Sequence, residues 1–192
     1  MKYIIVILMS YLIGSIPFSY LLGKVIYKKD IRSLGSKNPG STNVFRNFGP
    51  KAGIATLIFD IGKGFFAVGL TKKIYDEKLA LFALVFVILG HIFSIFLNFK
   101  GGKGVATSAG SILAYDYRVL LILLTIFLVI FLLTRTVSKA SISAAILAPI
   151  IAFYFYGFKS FTLIILIMGL TVVYEHRANI KRILNHEEKK MF

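Results

Sequence analysis

Residues 79–99 read LALFALVFVILGHIFSIFLNF, and this run decides the architecture. A helix needs about 20 mainly apolar residues to cross the hydrocarbon core of a bilayer. The run supplies them and carries a single ionisable side chain, His91. Directly after it come Lys100-Gly101-Gly102-Lys103-Gly104 and then a segment of small residues, 105–110. Working outward, further apolar runs occupy residues 3–23, 53–71, 104–114, 119–134, 143–156 and 161–174. The runs at 104–114, 143–156 and 161–174 are short, so each is expected to borrow flanking residues at the interface, with about five spans remaining if the short ones are re-entrant. The first run is interrupted by Gly14 and Pro17 and lacks a small-x-small cleavage site, so it reads as a retained span. Hydrophobic residues make up 57% of the chain and the mean hydropathy is +0.81, which leaves no room for a separate soluble domain. The expected fold is an all-α integral membrane protein of about seven transmembrane helices, one polytopic domain over residues 1–192.

Charge orients that fold. Lys and Arg number 23 against 8 Asp and Glu, a formal net charge of +15. Alternating the gaps from an outside N-terminus puts residues 24–52, 100–103, 135–142 and the tail from 175 on one side. Most of the cations fall there, so the positive-inside rule makes that side cytoplasmic, together with the C-terminus. Anionic lipid headgroups could account for much of this charge. A nucleic-acid partner is not expected, because the cations are divided among short interfacial turns.

The same alternation gathers the polar segments. Residues 35–46, 100–104, 138–143 and 175–179 all fall on the cytoplasmic side, so four gaps distant in sequence are expected to line one site there. In the turn 100–104, glycines allow close backbone approach, a following helix points its positive end at the same spot, and two lysines add full charge. That combination suits a phosphate, although an ordinary flexible basic turn has the same composition. It is not a Walker A loop, which needs Gly-x-x-x-x-Gly-Lys-Ser/Thr after a strand.

Residues 35–46 read GSKNPGSTNVFR, in which Asn38-Pro39-Gly40 is a turn signal. Ser36, Asn38, Ser41, Thr42 and Asn43 crowd hydrogen-bonding groups around one cation, Arg46; the plain alternative is a solvated loop with helix caps. His176 and Asn179 stand one helical turn apart, with Arg182 continuing the face. Ser141 lies at the opening of the sixth span and could cap it. Asp60 and Lys63 lie inside the second span at ion-pair spacing, which favours a structural or site-organising role. His91 reads as a satisfied interior histidine. Cysteine is absent, so disulfides and thiolate metal sites are not expected, and His91, His176 and His186 show no paired metal-ligand spacing.

These residues resemble a known family. Gly35-Ser36-x-Asn38-Pro39-Gly40-x-Thr42-Asn43-Val44-x-Arg46, Asp60-x-x-Lys63-Gly64, Phe99-Lys100-Gly101-Gly102-Lys103-Gly104-Val105-Ala106-Thr107, Ser141 and His176-Arg177-x-Asn179-Ile180-x-Arg182 look like the PlsY-type glycerol-3-phosphate acyltransferases over essentially the whole chain. Lys37 and Ser41 stand where glycine and alanine are expected.

The resemblance implies a bacterial inner-membrane enzyme that moves a fatty acyl group from acyl phosphate to the 1-hydroxyl of glycerol 3-phosphate, giving lysophosphatidic acid and phosphate. It also implies a soluble phosphate acyltransferase that supplies the donor, and neither a metal nor an organic cofactor. Lys103, Ser141 and His176 would be catalytic, and Ser36, Asn38, Thr42, Asn43, Arg46, Gly101, Gly102, Gly104 and Asn179 would bind substrate. In that scheme Lys103, Ser36, Ser141 and the amides of the glycine turn hold the donor headgroup. Arg46 with Asn43 takes the phosphate of glycerol 3-phosphate, and His176 with Asn179 orients the glycerol.

The general base stays open between His176 and an oxygen of the substrate phosphate, the latter favoured because a leaving phosphate is already a base beside the attacking hydroxyl. The His-x-x-x-x-Asp motif of acyl-CoA-using acyltransferases is missing: Phe96, Lys181 and Met191 stand at that spacing. A transporter of phosphorylated metabolites would also need cations among helices, but should show a midplane site and repeated halves. A scaffold for anionic lipid headgroups is the third reading.

Overall fold

The structure, a computed structural model, describes residues 1–191 and is helical throughout. The chain folds as two compact units, Met1–Tyr115 and the residues from Asp116 onward. The first unit holds α1 (Lys2–Ser15), α2 (Phe18–Val25), α3 (Ser41–Phe48), α4 (Pro50–Ile74), α5 (Glu77–Ile92) and α6 (Val105–Tyr115), with single 3-10 turns at Ile31–Ser33 and Ile95–Leu97. The second holds α7 (Tyr117–Thr134), α8 (Val137–Tyr156), α9 (Ser160–Glu175) and α10 (Arg177–Leu184).

Five stretches are long and apolar enough to cross a membrane: Lys2–Val25, α4, Glu77–Leu97, α7 and α8. A sixth arises if α9 and α10, which meet at 57°, are counted as one broken span. The short run at 143–156 gains its length as expected, because α8 starts back at Val137 and reaches 20 residues. The run at 104–114 does not. α6 has 11 residues, about 16 Å at 1.5 Å per residue, against a hydrocarbon core of about 30 Å. The glycine turn before it and Asp116 after it stop its extension.

Proline and glycine set the geometry of the first unit. Pro17 has no N–H and ends α1, leaving the carbonyls of Ser15 and Ile16 without helical donors. In an apolar setting such groups need partners. Ser94 Oγ donates to the Ser15 carbonyl at 2.5 Å, and Lys63 Nζ donates to that of Ile16 at 3.2 Å. α1 meets α5 where a side chain on Gly14 would strike the Val87 carbonyl and one on Gly90 the Tyr11 carbonyl. α4 meets α6 in the same way, through Gly64 against Thr107 and Gly110 against Ile61. Small residues at crossings let backbones close on one another, which is how helices associate without a hydrophobic drive.

Six hydroxyls on the helices are satisfied locally: Thr56, Thr71, Ser111, Thr125, Thr134 and Thr171 each donate to the carbonyl four residues back. The outer faces carry exposed large apolar side chains such as Ile58, Phe66, Leu132, Leu133 and Leu170, as lipid contact requires.

In the second unit, α7 and α8 form a hairpin turned at Arg135, whose φ is 54°, and α8 turns into α9 at Gly157, whose φ is 61°. Asp116 caps α7 by accepting from the Arg118 amide at 2.9 Å, and its other oxygen accepts from Tyr156 Oη at 2.8 Å, joining the far end of α8 to the start of α7. The Arg118 guanidinium donating to Asp116 outweighs the burial that opposes ionisation, and Tyr156 adds to it, so the carboxyl pKa falls from 3.8 to about 2.

Candidate active site

The turn at 100–104 is built onto the end of α5. After the Ile95–Leu97 turn, Asn98 and Phe99 both take left-handed backbone conformations, which reverses the chain. Gly101 then donates its amide to the Ile92 carbonyl at 2.8 Å, and Gly102 donates to that of His91 at 3.1 Å. These are carbonyls that the ending helix leaves without partners. A Cβ on Gly101 would run into the His91 carbonyl, and one on Gly102 into the His91 imidazole at Nε2.

Here the structure corrects the expected phosphate cradle. The amides of Gly101 and Gly102 are spent on α5, and their glycines are dictated by closeness to His91. Gly104, with φ of 84°, makes the next reversal, and α6 starts at Val105. Half-buried Lys103 therefore leaves the backbone between a seated glycine pair and the positive end of a helix.

The segment 31–47 is likewise no plain solvated loop. Ile31 and Val44 are fully buried and cluster with Leu22 and Ala52. Ser19 on α2 donates to the Pro39 carbonyl at 2.8 Å, pinning the Asn38-Pro39-Gly40 turn. Asn43, expected beside a substrate phosphate, is buried and occupied by its own loop. Its Nδ2 donates to the carbonyls of Ile31 at 3.2 Å and Leu34 at 3.0 Å. Its Oδ1 accepts from the Ser36 amide at 3.0 Å and from Asn47 Nδ2 at 3.0 Å. Both amide hydrogens and both lone pairs are used, so Asn43 shapes the loop that presents its neighbours. Ser36 and Arg46 are exposed, and Asn38 and Thr42 are half-buried.

Asp60 and Lys63 form the expected ion pair, 2.9 Å apart and almost wholly buried. His91 joins them, its Nδ1 lying 3.5 Å from the same Asp60 oxygen. These three side chains, with Ser15, Ser19, Ser94, Gly101 and Gly102, line a narrow pocket at the α1–α2 break. Among the described residues, no three His, Asp or Glu side chains gather in a way that could hold a metal ion.

In the second unit, α8 begins before Ser141, so Ser141 is not a cap; it sits buried one helical turn after Ser138. His176 is buried at the corner between α9 and α10, with Nδ1 2.7 Å from the Val172 carbonyl. A carbonyl only accepts, so Nδ1 carries a proton and a neutral ring keeps its lone pair on Nε2.

Sequence reasoning missed Glu188. Its carboxylate accepts from Asn179 Nδ2 at 2.7 Å, Ser138 Oγ at 2.8 Å and Arg182 Nε at 2.6 Å. Burial opposes its ionisation, but these donors outweigh burial and hold the carboxyl below the ordinary carboxylate range. No periodicity could have revealed it, because His186, at φ of 58°, turns the tail back on α10. Arg182 is thus a partner of the tail as well as a continuation of the His176–Asn179 face.

A family model described as glycerol-3-phosphate acyltransferase matches residues 4–186. A glycerol-3-phosphate acyltransferase 2 of Lactobacillus johnsonii is 42% identical over 191 residues, covering 98% of this chain and 87% of the relative. A glycerol-3-phosphate acyltransferase of Prochlorococcus marinus is 43% identical over 191 residues, covering 98% and 97%. Among solved structures, PlsY, an integral membrane glycerol 3-phosphate acyltransferase, matches in its glycerol 3-phosphate form with a TM-score of 0.93 and 34% identity, over 99% of this chain and 96% of that one. Its lysophosphatidic acid form matches with a TM-score of 0.89.

Proposed function

Because this chain belongs to the glycerol-3-phosphate acyltransferase family, we propose that it transfers a fatty acyl group from acyl phosphate to the 1-hydroxyl of glycerol 3-phosphate in the bacterial inner membrane. Lysophosphatidic acid and inorganic phosphate are the products. The observation that carries this reading is the placement of Lys103 between two glycines seated on α5 and the N-terminus of α6. That arrangement sets a full charge and a helix dipole beside one another at the edge of apolar helices, where the headgroup of an acyl phosphate meets a bilayer holding its chain.

Acyl phosphate is an activated mixed anhydride, so the protein has mainly to position it and stabilise charge. Lys103 and Gly104 hold the phosphoryl oxygens, while the Gly101–Gly102 pair fixes the turn. Arg46 takes the phosphate of the acceptor through its planar guanidinium, with Ser36, Asn38 and Thr42 as neutral donors around it. In the second unit, Ser141 is assigned to the donor headgroup, and His176 with Asn179 to the glycerol hydroxyls. The acceptor oxygen attacks the acyl carbon, the bond from that carbon to the phosphate oxygen breaks, and the hydroxyl proton passes to the departing phosphate. A soluble phosphate acyltransferase supplies the donor. Counting short α6 and α9 as crossings beside the five long spans, the N-terminus lies outside and the C-terminus in the cytoplasm, as the distribution of Lys and Arg favours.

The test is a purified-protein assay with acyl phosphate and labelled glycerol 3-phosphate, scoring lipid-soluble product, with acyl-CoA as the competing donor. Product from acyl phosphate alone is expected. Lys103→Ala and Arg46→Ala are each expected to lower turnover by about 100-fold or more while extracting as folded protein. Product from acyl-CoA, or full activity in either variant, would refute the corresponding assignment.

A further inference from the structure

We propose that His91, held by Asp60, is a positioning residue for Lys103. The proposal rests on the reading of Lys103 given above. The buried carboxylate of Asp60 has two neighbours, Lys63 Nζ at 2.9 Å and His91 Nδ1 at 3.5 Å. Lys63 also donates to the Ile16 carbonyl, so the pair is anchored to the α1–α2 break as well as to α4. With its Nδ1 edge toward that anchor, the imidazole turns its Nε2 edge against Gly102, where there is no room for a Cβ. The backbone of His91 takes the Gly102 amide at the same time. One residue therefore contacts the turn twice, through its carbonyl and through its ring, directly before Lys103.

A buried ion pair is a costly feature whose removal from only one side leaves an unpaired charge. Here it fixes an orientation: the ring is the floor that sets where the backbone carrying Lys103 departs from α5. A shift of about 1 Å at a positioning contact can cost about 100-fold in rate without any contact to substrate.

Two conservative substitutions separate the two ends of the ring. In His91→Asn the amide reproduces the Nδ1 end and its Asp60 neighbour but abandons the floor; in His91→Gln the amide reaches the Nε2 position and restores it. Initial rates with acyl phosphate and glycerol 3-phosphate, and the thermal unfolding midpoint in the same detergent, are measured for both. We expect His91→Asn to lower kcat by about 10- to 100-fold with the glycerol 3-phosphate KM within about 2-fold of the parent, and His91→Gln to stay within about 3-fold. Equal losses in the two variants, no loss in either, or losses that follow the unfolding midpoint overturn the proposal.

If His91→Asn does not fold, Gly102→Ala probes the same contact from its other side. Its cost is expected to fall from about 100-fold in the parent to under about 3-fold beside His91→Ala, and an equal cost in both backgrounds overturns the proposal. Lys103→Ala, measured in parallel, distinguishes the failures. Activity retained there refutes the role of Lys103 itself, whereas activity lost there with the His91 variants unaffected refutes only the role of His91.

Discussion

Replacing Asn43 by alanine should loosen the 31–47 segment before it affects any substrate. The side chain makes four hydrogen bonds, to the carbonyls of Ile31 and Leu34, the amide of Ser36 and the amide group of Asn47. Asn47 is exposed, so water replaces that bond at little cost. The other three tie down backbone groups, at about 1 kcal/mol each. Their loss amounts to about 3 kcal/mol, charged to local opening of this segment rather than to global unfolding. At about 1.4 kcal/mol per decade, protection of the Ser36 amide against hydrogen exchange should fall by about 100-fold.

Hydrogen exchange on the detergent-solubilised protein, read by mass spectrometry over peptides covering 31–47, measures this directly. Turnover should fall with it, because Ser36 and Arg46 are carried on the same segment. Unchanged exchange with a raised KM for glycerol 3-phosphate would refute the reasoning and return Asn43 to direct phosphate contact.

Gly110→Val should destabilise the first unit by about 1–3 kcal/mol or more, because its Cβ would overlap the Ile61 carbonyl. Gly69→Ala on the neighbouring α4 should be neutral or stabilising, since its Cβ meets only Ala114 Cβ at 3.7 Å; equal unfolding midpoints for the two would contradict this account of the crossing. Asp116 sets an acid limit. Its folded pKa of about 2 lies below the ordinary 3.8, so its stabilisation is present above about pH 4 and is lost as pH falls through about 2. Asp116→Asn should therefore unfold more readily than the parent at neutral pH, with the gap closing in acid; a gap that persists at about pH 2 would show that the charge is not responsible.

Much of this molecule was legible because its signals are local. Apolar length announces a membrane helix wherever it occurs, and Pro17 ends a helix through its own backbone preference. The Asp60–Lys63 pair followed from spacing alone, since charges one helical turn apart in an apolar setting have little choice of partner. The roles of Gly101, Gly102 and Asn43 were not legible. Glycine next to lysine looks the same whether its amides face an anion or a helix end, and asparagine in a polar loop looks the same whether it binds a ligand or builds the loop. Glu188 was hidden for a related reason, because its three partners span residues 138 to 182 and meet it only through the reversal at His186.

The sequence by itself determined the solvent, the helical class and the residue types available for phosphate chemistry. These depend on composition and on contacts a few residues apart, which the chain cannot escape. Only the tertiary structure decided which polar groups remain for a substrate. Hydrogen-bonding capacity is finite, and the α5 carbonyls, the Ile31 and Leu34 carbonyls and the Glu188 carboxylate claim donors that the sequence left uncommitted.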